Sequence, residues 1–173
     1  PFYFMVSSSF KHPLDSSVYP PIIFNFEPTL KNYTTIFKKY PMATYFINSF
    51  IVATFATLVS MVLAIPASYG MERLISKNRE RVAYMFLTMQ LIPPISMVFA
   101  LFWYANFFGI LGTYWLLVIG YTLWNVPYAI WLTRGFFTTI PKELEEAAFV
   151  DGASRIWVLR KIIIPLTKPG IIA

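Results

Sequence analysis

Residues 82–133 read VAYMFLTMQLIPPISMVFALFWYANFFGILGTYWLLVIGYTLWNVPYAIWLT, 52 positions without one Asp, Glu, Lys or Arg. A soluble chain needs charge to cover its surface and rarely leaves so long a run bare. The run also exceeds the roughly 20 apolar residues that one helix needs to cross a ~30 Å hydrocarbon core. It divides at Phe108-Gly109-Ile110-Leu111-Gly112-Thr113, where two glycines favour a turn. The pattern predicts a membrane span over 82–104, a short turn over 105–113 and a second span over 114–133. Pro93-Pro94 removes two backbone donors inside the first of these, so that helix must bend or break there. At bilayer depth such a break is tolerated only where protein or a water-filled cavity covers it.

Residues 41–71 are likewise uncharged and predict a further span over 46–70, about 37 Å long as a helix and free to tilt. Pro66 is expected to kink it. The whole chain of 173 residues is 57% hydrophobic and 13% charged, against about 25% charged in an average soluble domain. The reading is all-α: a polytopic bundle of transmembrane helices. Residues 1–6 read as the end of a helix. Residues 7–45 hold Pro13, Pro20, Pro21 and Pro28, whose spacing forbids a long helix. They predict an irregular, water-exposed loop with one short helix around 30–39. The chain opens on Pro1 rather than Met, and 169–173 look like the start of another span. The expectation is a fragment truncated at both ends, without a secretory signal.

Charge sets the expected orientation. Arg73, Lys77, Arg79 and Arg81 crowd the loop over 71–81. Arg134, Lys142, Arg155, Arg160, Lys161 and Lys168 mark the loop over 134–168. By the positive-inside rule both loops face the cytoplasm, and the turn over 105–113 and the loop over 7–45 lie outside. Lys11, Lys31, Lys38 and Lys39 fit that placement least well. The net charge of +6 is dispersed beside apolar spans rather than gathered into one patch, which argues against nucleic acid as a partner.

No catalytic or metal constellation is present in the sequence. His12 is the only histidine and sits in a proline-rich loop, and there is no cysteine. Without a G-x-x-x-x-G-K-[ST] stretch the chain binds no nucleotide through a P-loop. An intramembrane enzyme would want ionisable groups inside its spans, and these spans have none. The hydropathy speaks against a soluble helical binding module.

The informative polar stretch is IPKELEEAAFVDGAS, residues 140–154. Pro141 suits the first turn of a helix, and Glu143, Glu145 and Glu146 are favoured there by the helix dipole. Glu145 and Glu146, being adjacent, point to different parts of the helix surface. Leu144, Ala147, Ala148 and Gly152 recur at i, i+3, i+4 and i+8, one face with small residues at its centre. Gly152 permits a turn, and a second helical piece is expected from about Ser154 until Pro165 ends it. A helix this short is not stable alone and needs something to dock on.

This stretch resembles the EAA loop of ABC-importer permeases, whose pattern is E-A-A, three residues, G, nine residues, I-x-L-P. Glu146-Ala147-Ala148 is followed after three residues by Gly152, and nine residues later by Ile162-Ile163-Ile164-Pro165, with Ile164 in place of Leu. The flanks from Arg134 to Ser154 resemble carbohydrate-uptake permeases of the maltose and multiple-sugar type. Thr29-Leu30-Lys31-Asn32-Tyr33 and Tyr45-Phe46-Ile47-Asn48-Ser49 are similar to the approach to that family's second span. The resemblance implies a six-helix core in the cytoplasmic (inner) membrane, a second permease subunit, two ATP-binding cassette subunits and an extracytoplasmic solute-binding protein. It implies no cofactor on this chain, ATP being used by the partner subunit. It also implies that Leu144, Glu146, Ala147, Ala148, Asp151 and Gly152 couple to the ATPase. Cargo would be a sugar, or else glycerol phosphate, a polyol or another small solute. Asn48, Gln90, Tyr104, Tyr121, Trp124 and Asn125 are the polar and aromatic span residues suited to line its path. Interfacial belts and interhelical amide bonds are the competing roles for them.

Overall fold

A computed structural model describes residues 2–16, 18–75 and 77–172. Pro1, Ser17, Ser76 and Ala173 lie outside the described residues. The expected pieces at 1–6, 7–45, 71–81 and 169–173 are therefore seen only in part. The chain divides into two compact units, Pro1–Phe50 and Ile51–Ala173.

The first unit holds α1 (Phe2–Ser9), α2 (Pro13–Ser16), α3 (Lys31–Lys39) and the start of α4 (Met42–Leu74). Its proline-rich segment is tied down rather than free. Lys11, expected in a water-exposed loop, is only 1% exposed. Its ammonium lies 5.3 Å from the ring centre of Phe4 and 4.9 Å from that of Phe26, and donates to the Ile22 carbonyl. Ring faces and a carbonyl thus replace the water that a buried charge gives up. The Asn32 amide donates to the Ser9 and Lys11 carbonyls at 3.1 and 2.7 Å.

The long helix α4 overruns the expected 46–70 at both ends. Its 33 residues reach about 50 Å. The polar end stays helical because Glu72 is buried and paired across the fold. Pro66 lies inside the helix without ending it. Buried Val52, Ala56, Ser60, Ala64 and Ser68 recur at every fourth position, and the last four are the small residues that let membrane helices approach closely.

The span expected over 82–104 is two helices, α5 (Arg79–Met89) and α6 (Pro94–Phe107), bent by 80° at the break. A residue before proline is pushed out of the helical region, and Pro93 is extended at φ −60°, ψ 132°. Pro94 then opens α6, where its fixed φ suits the first turn and its missing N–H costs nothing. The glycine-marked turn ends α6 by local geometry. Ile110 N–H donates to Ala105 O at 2.9 Å and Gly109 N–H to Asn106 O at 3.2 Å, with Gly109 at φ +66°. This pair of bonds across a left-handed residue closes a helix C-terminus. Thr113 caps α7 (Tyr114–Thr138), its Oγ1 accepting from Leu116 N–H at 3.4 Å. Among the described residues α4 and α7 are long and apolar enough to cross a membrane, and the bent α5–α6 pair passes the same test together.

Residues 134–168, expected as a loop holding two helical pieces, are mostly helical. Helix α7 continues to Thr138, followed by α8 (Glu143–Val150) and α9 (Arg155–Val158). A π-helical turn (Leu159–Ile163) and α10 (Ile164–Ile172) complete the chain. Pro165 does not end the second helical piece as expected. A proline ring clashes with the carbonyl four residues earlier, here Lys161, and the wider π turn sits at that point. Helix α7 is the hub of the second unit, packing on α5, α6 and α10.

The α7–α10 contact is close enough to test. A Cβ built on Gly170 would lie 2.4 Å from Phe136 Cε1. Gly170→Ala in the full-length protein is expected to cost about 1–3 kcal/mol by overpacking, read as a lowered thermal midpoint in detergent. Adding Phe136→Ala should return part of the loss. An unchanged midpoint for Gly170→Ala alone would mean that the ring turns aside freely.

Candidate functional site: the α8 hairpin and its seat

The stop at the end of α8 is written locally. Gly152 has φ +84°, Gly152 N–H donates to Phe149 O at 3.0 Å, and Ala153 N–H to Ala148 O at 2.9 Å. Two residues on, Ser154 is extended, and its hydroxyl accepts from Trp157 N–H at 3.3 Å to start α9. A left-handed glycine followed by a serine cap makes a helix–turn–helix elbow.

The elbow presents two unlike sides. Leu144, Glu146, Ala147, Val150, Asp151 and Gly152 are exposed, Val150 to 88%. Glu145, Ala148 and Phe149 turn inward at i, i+3 and i+4. There Ala148 and Phe149 pack on a buried cluster of Tyr69, Phe137, Ile140, Val158 and Ile163. The face expected from the sequence is therefore split. Leu144, Ala147 and Gly152 lie outward, whereas Ala148 belongs partly to the seat. Its packing against the buried cluster sets that side, three positions after Glu145 on the inward row. Val150, three positions after Ala147, joins the outward side.

Glu145, expected only as a first-turn acid, is 4% exposed. Its Oε1 accepts from Arg73 Nε at 2.5 Å and its Oε2 from the Tyr69 hydroxyl at 3.0 Å. Arg73 Nη2 also donates to the Phe137 and Ile140 carbonyls at 3.1 and 3.0 Å. These carbonyls lie in the last turn of α7 and just beyond it, and the Phe137 carbonyl also accepts from Ile140 N–H at 3.3 Å. A second cluster lies beside it. Glu72 accepts from Arg79 at 3.1 Å and from Arg134 at 2.9 Å, and Arg134 also pairs with Glu80. The available sequence signal for Glu145 was its shared helix face with Ala148 and Phe149.

Two of the residues expected along a cargo path share a groove. Tyr121 and Trp124 line a groove of about 470 Å³ between α6 and α7, with Pro94, Phe102 and Leu116 among its other walls. The Gln90 amide is spent on the fold, donating to the Trp124 carbonyl at 2.9 Å and pinning the end of α5 to α7. Tyr104 and Asn125 are exposed and lie outside that groove. Asn48, half-buried, belongs to the first unit. The groove is walled chiefly by apolar side chains. Among the described residues no group of three or more His, Cys, Asp or Glu could hold a metal ion.

Residues 64–173 match the family model described as binding-protein-dependent transport system inner membrane component. The matched segment contains α8, its seat and both charge clusters. The sulfoquinovosyl glycerol transport system permease protein of Agrobacterium fabrum is 30% identical over 99% of this chain and 60% of its own length. The trehalose/maltose transport system permease protein of Thermococcus litoralis is 32% identical over 99% and 62%. The diacetylchitobiose uptake system permease protein of Streptomyces coelicolor is 32% identical over 100% and 63%. The chain thus spans about 60% of the length of these curated relatives. With its apolar spans, its bent α5–α6 pair and the elbow all inside or adjoining the matched segment, the chain belongs to the family of binding-protein-dependent transport system inner membrane components.

Proposed function

We propose that this chain is part of the permease subunit of an ATP-driven, binding-protein-dependent importer whose cargo is a carbohydrate. The observation that carries the reading is the α8 elbow. A short helix, unstable alone, is held firmly on one side by the ends of α4 and α7 and left bare on the other. An exposed row of Leu144, Ala147 and Val150 is what a cleft on a separate ATPase subunit would take. The relatives support the cargo class, since those described above are named for trehalose and maltose, diacetylchitobiose and sulfoquinovosyl glycerol. On this reading the elbow faces the cytoplasm. Two ATP-binding cassette subunits hydrolyse ATP, and a second permease subunit completes the path. An extracytoplasmic binding protein delivers the solute. The chain itself carries no cofactor and makes or breaks no covalent bond.

The test is uptake by the full-length permease reconstituted with its partner subunits in proteoliposomes. A panel of oligosaccharides, a polyol and glycerol phosphate is offered with and without internal ATP. A carbohydrate should accumulate only when both ATP and the binding protein are present. Uptake of glycerol phosphate or the polyol alone would overturn the cargo class, and accumulation without ATP would overturn the importer reading.

A further inference from the structure

We propose that Glu145, not the outward Glu146 of the E-A-A pattern, is the positioning residue that passes displacement of α8 to the membrane spans. The inference rests on the importer reading above and names the joint within it. A partner that moves α8 can act on α4 only through contacts that resist pulling as well as pushing. The apolar seat of Ala148 and Phe149 resists pushing, because close packing leaves no room. It resists sliding less. The Glu145 carboxylate supplies the missing restraint. Each of its oxygens is bonded to a different side chain of α4, Arg73 and Tyr69, one helical turn apart.

Burial makes the restraint stiff. The Glu145 side chain is 5% exposed and that of Arg73 7%. Separating them would leave two uncompensated charges away from water, which is strongly unfavourable. Arg73 extends the joint further, since the same guanidinium holds the Phe137 and Ile140 carbonyls at the end of α7. One ion pair thus ties three elements, α4, α7 and α8. Glu146, exposed on the other side, bonds to none of them among the described residues, and its place is the outer contact surface.

The joint is tested in the full-length permease assembled with its ATPase and binding protein, by measuring hydrolysis and uptake in the same proteoliposomes. Glu145→Gln keeps the side-chain shape and removes the charge that holds Arg73. Tyr69→Phe removes one hydrogen bond and keeps the ring that packs on Phe137. Both complexes should retain the ATPase on purification, because the outer face of α8 is untouched. Solute moved per ATP hydrolysed should fall about tenfold in Glu145→Gln, a typical coupling magnitude, and less in Tyr69→Phe. A wild-type ratio in Glu145→Gln would overturn the proposal. Should that variant fail to assemble, a wild-type ratio in Tyr69→Phe overturns it and a lowered ratio supports it. The absence of ATP-dependent uptake in the unsubstituted complex is a separate outcome, and it refutes the importer reading itself.

Discussion

Glu72→Ala is expected to destabilise the full-length protein by roughly 3–5 kcal/mol, the usual cost of removing one partner from a buried ion pair. Glu72 is 4% exposed, and its carboxylate accepts from both Arg79 and Arg134. The Arg134 side chain is 11% exposed. Without Glu72 its guanidinium keeps only Glu80, whose side chain is 60% exposed and sits in water. Three elements then lose their common tie, the end of α4, the start of α5 and the last turns of α7. The measurement is the thermal midpoint in detergent, with a fall of about 10 °C expected at 2–4 °C per kcal/mol for a domain of this size. Glu72→Gln should fall between wild type and Glu72→Ala, because the amide oxygen still accepts one hydrogen bond. Glu80→Gln is the control and should leave the midpoint nearly unchanged, since exposed pairs contribute little. Equal midpoints for Glu72→Ala and Glu80→Gln would show that the cluster is ornamental.

Gly152→Trp should abolish co-purification of the ATPase while Gly152→Asn largely preserves it. Both variants meet the same backbone, at φ +84°. Asn visits that left-handed region more readily than other non-glycine residues, whose strain costs about 1–2 kcal/mol. Within the chain itself there is room, since nothing lies within 4 Å of a Cβ built on Gly152. A side chain there therefore leaves the backbone without a clash at its Cβ, from the bare side of the elbow. Overfilling a partner's cleft typically adds about 1–3 kcal/mol to the strain. Ala147→Trp, on the same bare face, should act like Gly152→Trp. Ala148→Trp is a poorer test, because Ala148 packs on the Tyr69 and Phe137 cluster and its replacement disturbs the seat as well. If Gly152→Trp and Ala147→Trp purify with as much ATPase as Gly152→Asn, the elbow is not the docking surface.

Much of this protein is decided by neighbours in sequence, and that part could be read without coordinates. Uncharged runs must leave water, so spans over 46–70 and 114–133 follow from composition alone. Pro93-Pro94 breaks a helix because of its own rings. Gly109, Gly112 and Gly152 allow the positive φ at which the chain turns. Motif and elbow at 140–154 share this local character, which is why the turn at Gly152 and the helix before it were legible. What local chemistry could not reveal is which charges are buried. Glu145 and Glu146 are neighbours of the same type, yet one is sealed against Arg73, 72 positions away, and the other faces out. Lys11 lies in the loop that composition places in water, yet the Phe4 and Phe26 rings and the Ile22 carbonyl enclose its ammonium. Beside the 80° bend between α5 and α6, Gln90 ties the end of α5 to the Trp124 carbonyl of α7, a contact that no local pattern announces. Pro165 stays helical because a π turn opens ahead of it. A residue's own propensity sets where helices begin and turn, but the fate of a charge depends on the distant groups that replace its water, and only tertiary structure brings those together.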